Sequence, residues 1–186
     1  LDVGCGEGWL ARALAAEGAD VLGVDGSEAL VAAARAADGA PATRAAGGGR
    51  AHFELASYAD LIARPERAAG PFALVVCNFA LLGDPLAPLL AALRRRLAGG
   101  GRLVVQTVHP WAAAGDGPYE SGWRVETFAA FERPFPCTMP WFFRTLASWL
   151  AELRAARLRV LELDEPTHPD TGRPLSLLIE CDRAPA

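Results

Sequence analysis

The sequence predicts an α/β fold in which a doubly wound, mostly parallel sheet carries helices on both faces. Two observations predict it. Short apolar segments alternate with helical segments over the first hundred residues, and glycines follow the first apolar segment directly, where a strand would turn into a helix. With 186 residues, of which 52% are hydrophobic, the chain can form one domain with a sizeable core but not two. We therefore expect residues 1–186 to be a single domain.

The strands and helices of this first part alternate strictly. Strands are predicted at 1–3, 21–25, 51–55, 72–77 and 102–108, and helices at 9–16, 28–37, 58–63 and 86–97. Gly18 can end the first helix in a left-handed conformation, Ser27 can cap the second, and Pro65 closes the third. The glycines at 99–101 should end the fourth helix. The continuous apolar character of 72–77 predicts a parallel strand that is covered on both faces.

After Pro110 the alternation breaks down. Residues 110–140 are rich in proline and glycine and show no sustained periodicity, yet ten of the 15 aromatic residues lie between 111 and 149. This pattern predicts an aromatic-rich insertion at about 110–145. The remaining residues predict a helix at 146–156 and final strands at 158–163 and 175–181.

Composition excludes several classes of protein. The formal net charge of -4, with charges of both signs dispersed, argues against a nucleic-acid or anionic-membrane surface. No apolar run reaches the length of a membrane span, and the first residues lack a basic signal region. The four cysteines have no spacing that would close a metal site. We expect a cytoplasmic protein with reduced cysteines and no metal.

The glycine-rich turn predicts a ligand site. At Gly4, Gly6 and Gly8 the missing side chains let a ligand approach the backbone and the free N–H groups of the following helix. A dinucleotide fingerprint would need a third glycine where Trp9 stands, which argues against NAD. Asp2 places a carboxylate beside the turn, which favours an ammonium or sulfonium ligand over a pyrophosphate.

At these residues the chain resembles the class I S-adenosylmethionine-dependent methyltransferases, in particular the bacterial enzymes of quinone and secondary metabolism. The motifs that carry the resemblance are, in order, Asp2-x-Gly4-x-Gly6-x-Gly8, Asp25, Ser57-Tyr58, Cys77-Asn78-Phe79 and the segment 97–103. The resemblance covers roughly residues 1–108. It implies a Rossmann-like sheet with a C-terminal antiparallel hairpin strand and S-adenosyl-L-methionine as the cofactor. The helices that usually precede the first strand are absent from this sequence, so we expect the N-terminal helices to be missing.

The resemblance also implies cofactor-binding residues: Asp2, Gly4, Cys5, Gly6, Asp25, Gly26, Ser57, Tyr58, Asn78 and Phe79. In this family the glycines contact the methionine moiety, Asp25 would accept both ribose hydroxyls, and Asn78 would lie at the methionine end. Ser57 and Tyr58 would border the adenine. Many members of the family have an acidic residue there that contacts the adenine; this sequence has Ser57 at that position, and Asp60 is the alternative for the contact. Asp25 has an alternative role as a helix cap ahead of Ser27. Cys5 and Cys77 are expected to pack rather than react.

The insertion is expected to cover the substrate, because the chain leaves the fifth strand at the sheet edge where open parallel sheets bind ligands. The candidate substrate-binding residues are Trp111, Trp123, Arg124, Trp141, Phe142 and Arg144. Each arginine lies beside an aromatic residue and could hold a carboxylate or phenolate. The alternative is that the insertion's rings, which include Phe131 and Phe135, simply pack it against the sheet.

His109 is the candidate general base, because an imidazole at the end of the fifth strand could remove a proton from a hydroxyl acceptor. Its alternative is a structural histidine before Pro110. Glu120, Glu126 and His168 are further candidates, each with the alternative of a surface group.

Together these features predict a methyltransferase that transfers a methyl group to a small, aromatic or hydrophobic acceptor by in-line displacement. The alternative is a non-catalytic S-adenosylmethionine-binding protein, either a sensor or an inactive partner subunit. The partner is a small molecule, with no nucleic acid and no membrane; the oligomeric state stays open.

Overall fold

The computed structural model describes residues 1–38, 48–128 and 137–185. The strands are β1 (Asp2–Val3), β2 (Val21–Asp25), β3 (Ala51–Leu55), β4 (Phe72–Asn78), β5 (Leu97–Val108), β6 (Gly122–Glu126), β7 (Met139–Phe143), β8 (Leu158–Asp164) and β9 (Ser176–Arg183). The helices are α1 (Trp9–Ala16), α2 (Glu28–Asp38), α3 (Tyr58–Ala63), α4 (Ala87–Arg96), α5 (Pro110–Ala114) and α6 (Leu146–Ala155). Two internal segments lie outside the described residues. One is 39–47, which contains most of the predicted loop before β3, and the other is 129–136 of the predicted insertion, with Phe131 and Phe135.

A seven-stranded sheet of order β3-β2-β1-β4-β5-β9-β8 forms the centre of the protein. The pairs from β3 to β5 are parallel, whereas β9 runs antiparallel to both β5 and β8. The order reverses between β1 and β4, so the carboxyl ends of these strands open onto one crevice, the usual ligand position in such sheets. The predicted doubly wound sheet with a C-terminal antiparallel hairpin strand is confirmed.

Helices cover the two faces of the sheet. On one face α3, α4 and α6 pack on a large core that includes Leu93, Leu103 and Ile179, each fully buried. On the other face α1 and α2 pack on a smaller core around Phe53. Every described helix is too short or too polar to cross a bilayer.

Two predictions about the sheet differ from the structure. The glycines at 99–101 do not end α4 but lie within β5, where extra residues bulge between the Phe72–Leu97 and Leu74–Arg102 pairs. Strand β4 is not covered on both faces, since Leu74 is 36% exposed. The described helices of that face, α1 and α2, pack on β2 and β3 rather than on β4.

The antiparallel hairpin β6–β7 lies inside the predicted insertion and was not predicted from the sequence. Its register pairs Trp123 with Phe142 and Glu126 with Met139. The backbone N–H of Phe142 donates to the carbonyl of Leu82 at 2.8 Å, which ties the hairpin to the segment after β4. Proline within a strand weakens the sequence signal, and the strand containing Pro140 is tolerated here at the edge of a two-stranded sheet.

Candidate functional site

The turn between β1 and α1 is held closed by the neighbouring strand β2. The N–H groups of Gly4 and Cys5 both donate to the carbonyl of Val24, at 2.8 and 3.0 Å, and the N–H of Gly6 donates to the Asp25 carboxylate at 3.0 Å. Gly4 has a φ of +71°, and a Cβ there would lie 2.4 Å from the Cβ of Ala80. Only glycine fits this position, because both the conformation and the space exclude a side chain.

Two cavities flank this turn, and Gly4 lines both. One of about 200 Å³ is lined by Asp2, Gly4, Cys5, Gly6, Glu7, Trp9, Leu10 and Asn78. The other, of about 360 Å³, is lined by Gly4, Asp25, Gly26, Ser27, Ser57 and Tyr58. We call them the methionine cavity and the adenosine cavity, after the groups that the sequence analysis assigns there. All the predicted cofactor residues except Phe79 line one or the other.

Asp2 is the buried charge of the methionine cavity. Its side chain is 1% exposed, and its Oδ2 has no hydrogen-bond partner among the described residues. The pKa of Asp2 is raised from 3.8 to about 6, mainly by burial and in smaller part by the nearby charge of Asp25. A buried carboxylate oxygen without a partner is costly, so a cationic group in this cavity would be held strongly.

Asp25 lies between the two cavities and holds the backbone on both sides of it. One oxygen accepts from Gly6 and the other accepts the N–H of Ser27 at 2.8 Å, while Ser27 Oγ accepts from Leu30 at 3.4 Å. A carboxylate oxygen has two lone pairs, so each can accept a further hydroxyl from a ligand. Asp25 therefore supports the start of α2 and still faces the adenosine cavity.

Ser57 and Asp60 form a capping box at the start of α3. Ser57 Oγ donates to Asp60 at 2.7 Å and accepts the N–H of Asp60 at 3.1 Å. The Ser57 hydroxyl and the Ser57 backbone N–H both donate to the Asp60 carboxylate, and these two bonds lower its pKa. Asp60 thus serves the helix and does not line the adenosine cavity, whereas the hydroxyl of Tyr58 donates to the carbonyl of Ala80 beneath Gly4.

A third cavity of about 420 Å³, the acceptor cavity, lies between the sheet edge and the hairpin. It is lined by Phe79, Leu82, Thr107, Val108, Ala113, Glu126, Phe128, Met139 and Trp141. Phe79 directly follows Asn78 of the methionine cavity, so consecutive residues line the two cavities. A largely apolar cleft with few polar groups is typical of a small-molecule site.

The family can now be assigned. Residues 1–101 match the model of the methyltransferase domain family. The chain belongs to this family. Among proteins with curated descriptions, no match is found.

Solved structures share the fold of this methyltransferase over nearly its whole length. An S-adenosylmethionine-dependent methyltransferase from Mesorhizobium loti is 24% identical with a TM-score of 0.65, over 98% of this chain and 89% of that one. A counterpart from Methanosarcina mazei is 17% identical with a TM-score of 0.73, over 100% and 92%. The glycopeptide N-methyltransferase MtfA, solved with sinefungin, is 20% identical with a TM-score of 0.72, over 99% and 79%. The predicted class, an S-adenosylmethionine-dependent methyltransferase, is confirmed.

Strand alternation decides which aromatic residues of the methyltransferase reach the acceptor cavity. Glu126 and Trp141 lie on the inner face of the hairpin, whereas Trp123 and Phe142 lie on its opposite face. Trp123 and Trp111 are each 62% exposed. Of the six predicted substrate residues only Trp141 lines this cavity, and Phe79 lies there rather than with the predicted cofactor residues.

The two arginines predicted to hold an acidic substrate both make hydrogen bonds within the protein. Arg124 donates to the carbonyls of Ala113 and Pro118, at 2.9 and 2.8 Å, and stacks over Phe143. Arg144 is fully buried and donates through Nη2 to Asp84 at 2.7 Å, while its Nε and Nη1 have no hydrogen-bond partner among the described residues. Burial lowers the pKa of Arg144. These guanidinium groups fasten the hairpin, and neither of them lines the acceptor cavity. Their binding of substrate stays a prediction.

His109 uses both ring nitrogens for structural contacts. Nδ1 accepts the N–H of Trp111 at 3.2 Å and so caps α5, and Nε2 lies 2.7 Å from Glu165. With Nδ1 as an acceptor, Nε2 carries the proton and donates it to the carboxylate. His109 lines none of the three cavities described above, and this geometry favours the structural alternative. Its role as a base stays a prediction.

Glu126 and several apolar residues of the acceptor cavity were not among the predicted substrate residues. From the sequence, Glu126 is a candidate only for a general base or a surface group. The signal that could have found it is the period-2 spacing of Arg124, Glu126, Met139 and Trp141, which places them on one face once a hairpin is recognised.

Asp2→Asn is expected to change how stability depends on pH. The folded-state pKa is raised, so the contribution of neutral Asp2 is fully present below pH 4 and is lost as pH rises through about 6. Between pH 4 and pH 8 the wild-type free energy of unfolding should fall by roughly 2 to 3 kcal/mol relative to that of the variant. Urea titrations across this range measure the difference. The exposed Asp116→Asn serves as the control, and parallel pH profiles for wild type and Asp2→Asn would contradict the assignment.

His109→Ala should lower the free energy of unfolding by about 1 kcal/mol, because α5 loses its N-terminal cap. His109→Asn should retain most of it, since an asparagine Oδ1 occupies the place of Nδ1 and can accept the same N–H. Thermal and urea unfolding of the two variants make the comparison. Equal destabilisation by both substitutions would show that the cap is not what His109 contributes.

Proposed function

We propose that this methyltransferase binds S-adenosylmethionine across the methionine and adenosine cavities and transfers its methyl group to a small hydrophobic molecule in the acceptor cavity. The observation that carries the proposal is the buried, unpartnered Oδ2 of Asp2 beside the open backbone of the glycine turn. The donor supplies a methyl group on a positively charged sulfonium, already activated for displacement. The residues therefore need to bind, orient and exclude water rather than to activate the donor.

Asp2 fits the charge of the methionine moiety. The ligand carries an ammonium and a sulfonium, and either cation lowers the cost of the buried carboxylate. The carboxylate of the ligand can meet N–H groups of the first turn of α1, where Trp9 and Leu10 line the cavity and the partial positive charge of a helix N-terminus favours an anion. Opposite charges of protein and ligand are thus matched within one cavity.

Asp25 fits the ribose. Its oxygens keep lone pairs for the two hydroxyls after accepting from Gly6 and Ser27. Ser57 and Tyr58 border the same cavity and would flank the adenine. MtfA, which shares the fold, has been solved with S-adenosylmethionine, and this supports the placement.

The acceptor cavity supports a small, hydrophobic acceptor. Its lining is mostly apolar, and Phe79 joins it to Asn78 at the end of β4. An acceptor held there would lie near the methionine end of the donor and away from bulk water. Holding the two reactants in line can supply much of the rate acceleration of a displacement reaction.

The direct test combines binding with transfer. Titration calorimetry should detect S-adenosylmethionine and S-adenosylhomocysteine but not NAD, and radiolabelled methyl from the donor should appear in small molecules of a metabolite extract. Absence of donor binding would overturn the proposal as a whole. Binding without any transfer would favour a non-catalytic sensor or partner subunit instead.

Asp25→Ala should weaken S-adenosylhomocysteine binding at least tenfold, because two hydroxyls lose a charged acceptor. The same substitution should weaken the binding of the 2′,3′-dideoxy analogue of that ligand clearly less, because that analogue loses only the support of the turn and not the hydroxyl contacts. Calorimetry with both ligands separates the contact with the ribose from the support that Asp25 gives to Gly6. An equal loss for the two ligands would assign Asp25 to the turn alone.

A further inference from the structure

The described lining of the acceptor cavity carries charge of one sign. Among the described residues that line it, Glu126 is the sole ionisable group, and Thr107 adds a hydroxyl. The N–H of Phe128 donates to Glu126 Oε1 at 2.6 Å, which fixes the carboxylate at the wall of the cavity. A carboxylate held in a largely apolar cleft attracts a cation and repels an anion.

No described arginine or histidine neutralises Glu126 within 4 Å. Neither arginine of the hairpin region lines the acceptor cavity. Arg124 donates to carbonyl groups, and Arg144 donates through Nη2 to Gly83 and Asp84, while its buried Nε and Nη1 have no hydrogen-bond partner among the described residues. As far as the described residues go, the negative charge of Glu126 is therefore available to a ligand.

Aromatic and thioether groups complete the lining. The rings of Phe79, Phe128 and Trp141 and the side chain of Met139 line the cavity together with Glu126. Aromatic faces attract organic cations through their quadrupoles, and several rings around one carboxylate are a recurrent arrangement for ammonium ligands. The same lining accommodates apolar substituents on the cation.

The backbone holds two of these rings in an uncommon conformation. Phe79 and Phe128 have φ values of +50° and +56°, and both line the acceptor cavity. Bulky residues rarely adopt positive φ, and such conformations concentrate at ligand sites, where the surrounding structure maintains them.

We propose that the acceptor cavity takes an organic ammonium ion with apolar substituents, with Glu126 binding the charge and the aromatic rings enclosing the remainder. This inference rests on the proposed function, because it names the class of molecule that the methyltransferase accepts. The ammonium form binds; its nitrogen can displace the methyl group from the sulfonium only after it passes a proton to Glu126 or to water, which frees its electron pair for the new C–N bond. It replaces the acidic or phenolic substrate suggested by Arg124 and Arg144 in the sequence.

Three probes of matched size test the charge preference: 3-phenylpropylamine, 3-phenylpropan-1-ol and 3-phenylpropanoate. Calorimetry and tryptophan fluorescence, on the protein with and without S-adenosylhomocysteine, should show the amine binding about tenfold more tightly than the alcohol, with the carboxylate weakest. Equal binding of amine and alcohol, tightest binding of the carboxylate, or no measurable binding of the amine would overturn the proposal.

The Glu126→Gln variant tests whether the tighter binding of the amine depends on Glu126 in the acceptor cavity. Glutamine keeps an oxygen for the N–H of Phe128 but removes the charge, so the amine should lose its advantage over the alcohol. Glu120→Gln, at an exposed position outside the cavity, should preserve it. A preference that survives in a folded Glu126→Gln protein would place the amine elsewhere and contradict the inference.

The two proposals fail separately in this design. Binding of S-adenosylhomocysteine, measured on the same samples, tests the donor site. The ranking of the three probes without that ligand tests the acceptor cavity. A protein that prefers the amine but binds no donor would overturn the proposed function and leave the specificity of the cavity standing.

Discussion

The turn after β1 depends on hydrogen bonds supplied by the end of β2. The Val24 carbonyl accepts two N–H groups of the turn, and the Asp25 carboxylate accepts a third. These bonds fix the glycine backbone close against Ala80, and the methionine and adenosine cavities lie on either side of it. Because β1 and β2 are neighbouring parallel strands, the register of the sheet itself brings the glycines and the carboxylate together.

Much of the fold and the donor side of the site could be predicted from the sequence for this reason. Alternating apolar segments locate the strands, and parallel strands bring their carboxyl ends to one edge, so Asp2, Asp25, Ser57 and Asn78 converge without knowledge of any side-chain contact. The sequence does not tell whether a polar side chain at that edge can bind a ligand or is already hydrogen-bonded within the protein. Asp60 illustrates this limit, since its neighbour Ser57 engages it in a helix cap.

The acceptor side could not be predicted to the same extent. The hairpin β6–β7 contains Pro140, and its two strands are separated by a stretch with no periodic pattern, so its register was not visible in the sequence. Without the register, Trp123 and Trp141 are equivalent candidates, although one is exposed and the other lines a cavity. Arginines beside aromatic residues suggested anion binding for a similar reason, because their bonds to Asp84 and to backbone carbonyls are distant in sequence.

The segment after β4 is shared by the two halves of the site. Ala80 lies under Gly4 and accepts the Tyr58 hydroxyl, while two and four residues further on Leu82 and Asp84 hold the hairpin through Phe142 and Arg144. A shift of the hairpin would therefore move the backbone of residues 80–84, and with it Ala80, on which Gly4 of the proposed donor site packs. A change of acceptor preference in this scaffold is consequently easiest at the inner-face positions of Glu126, Met139 and Trp141, where side chains can change without moving that short segment.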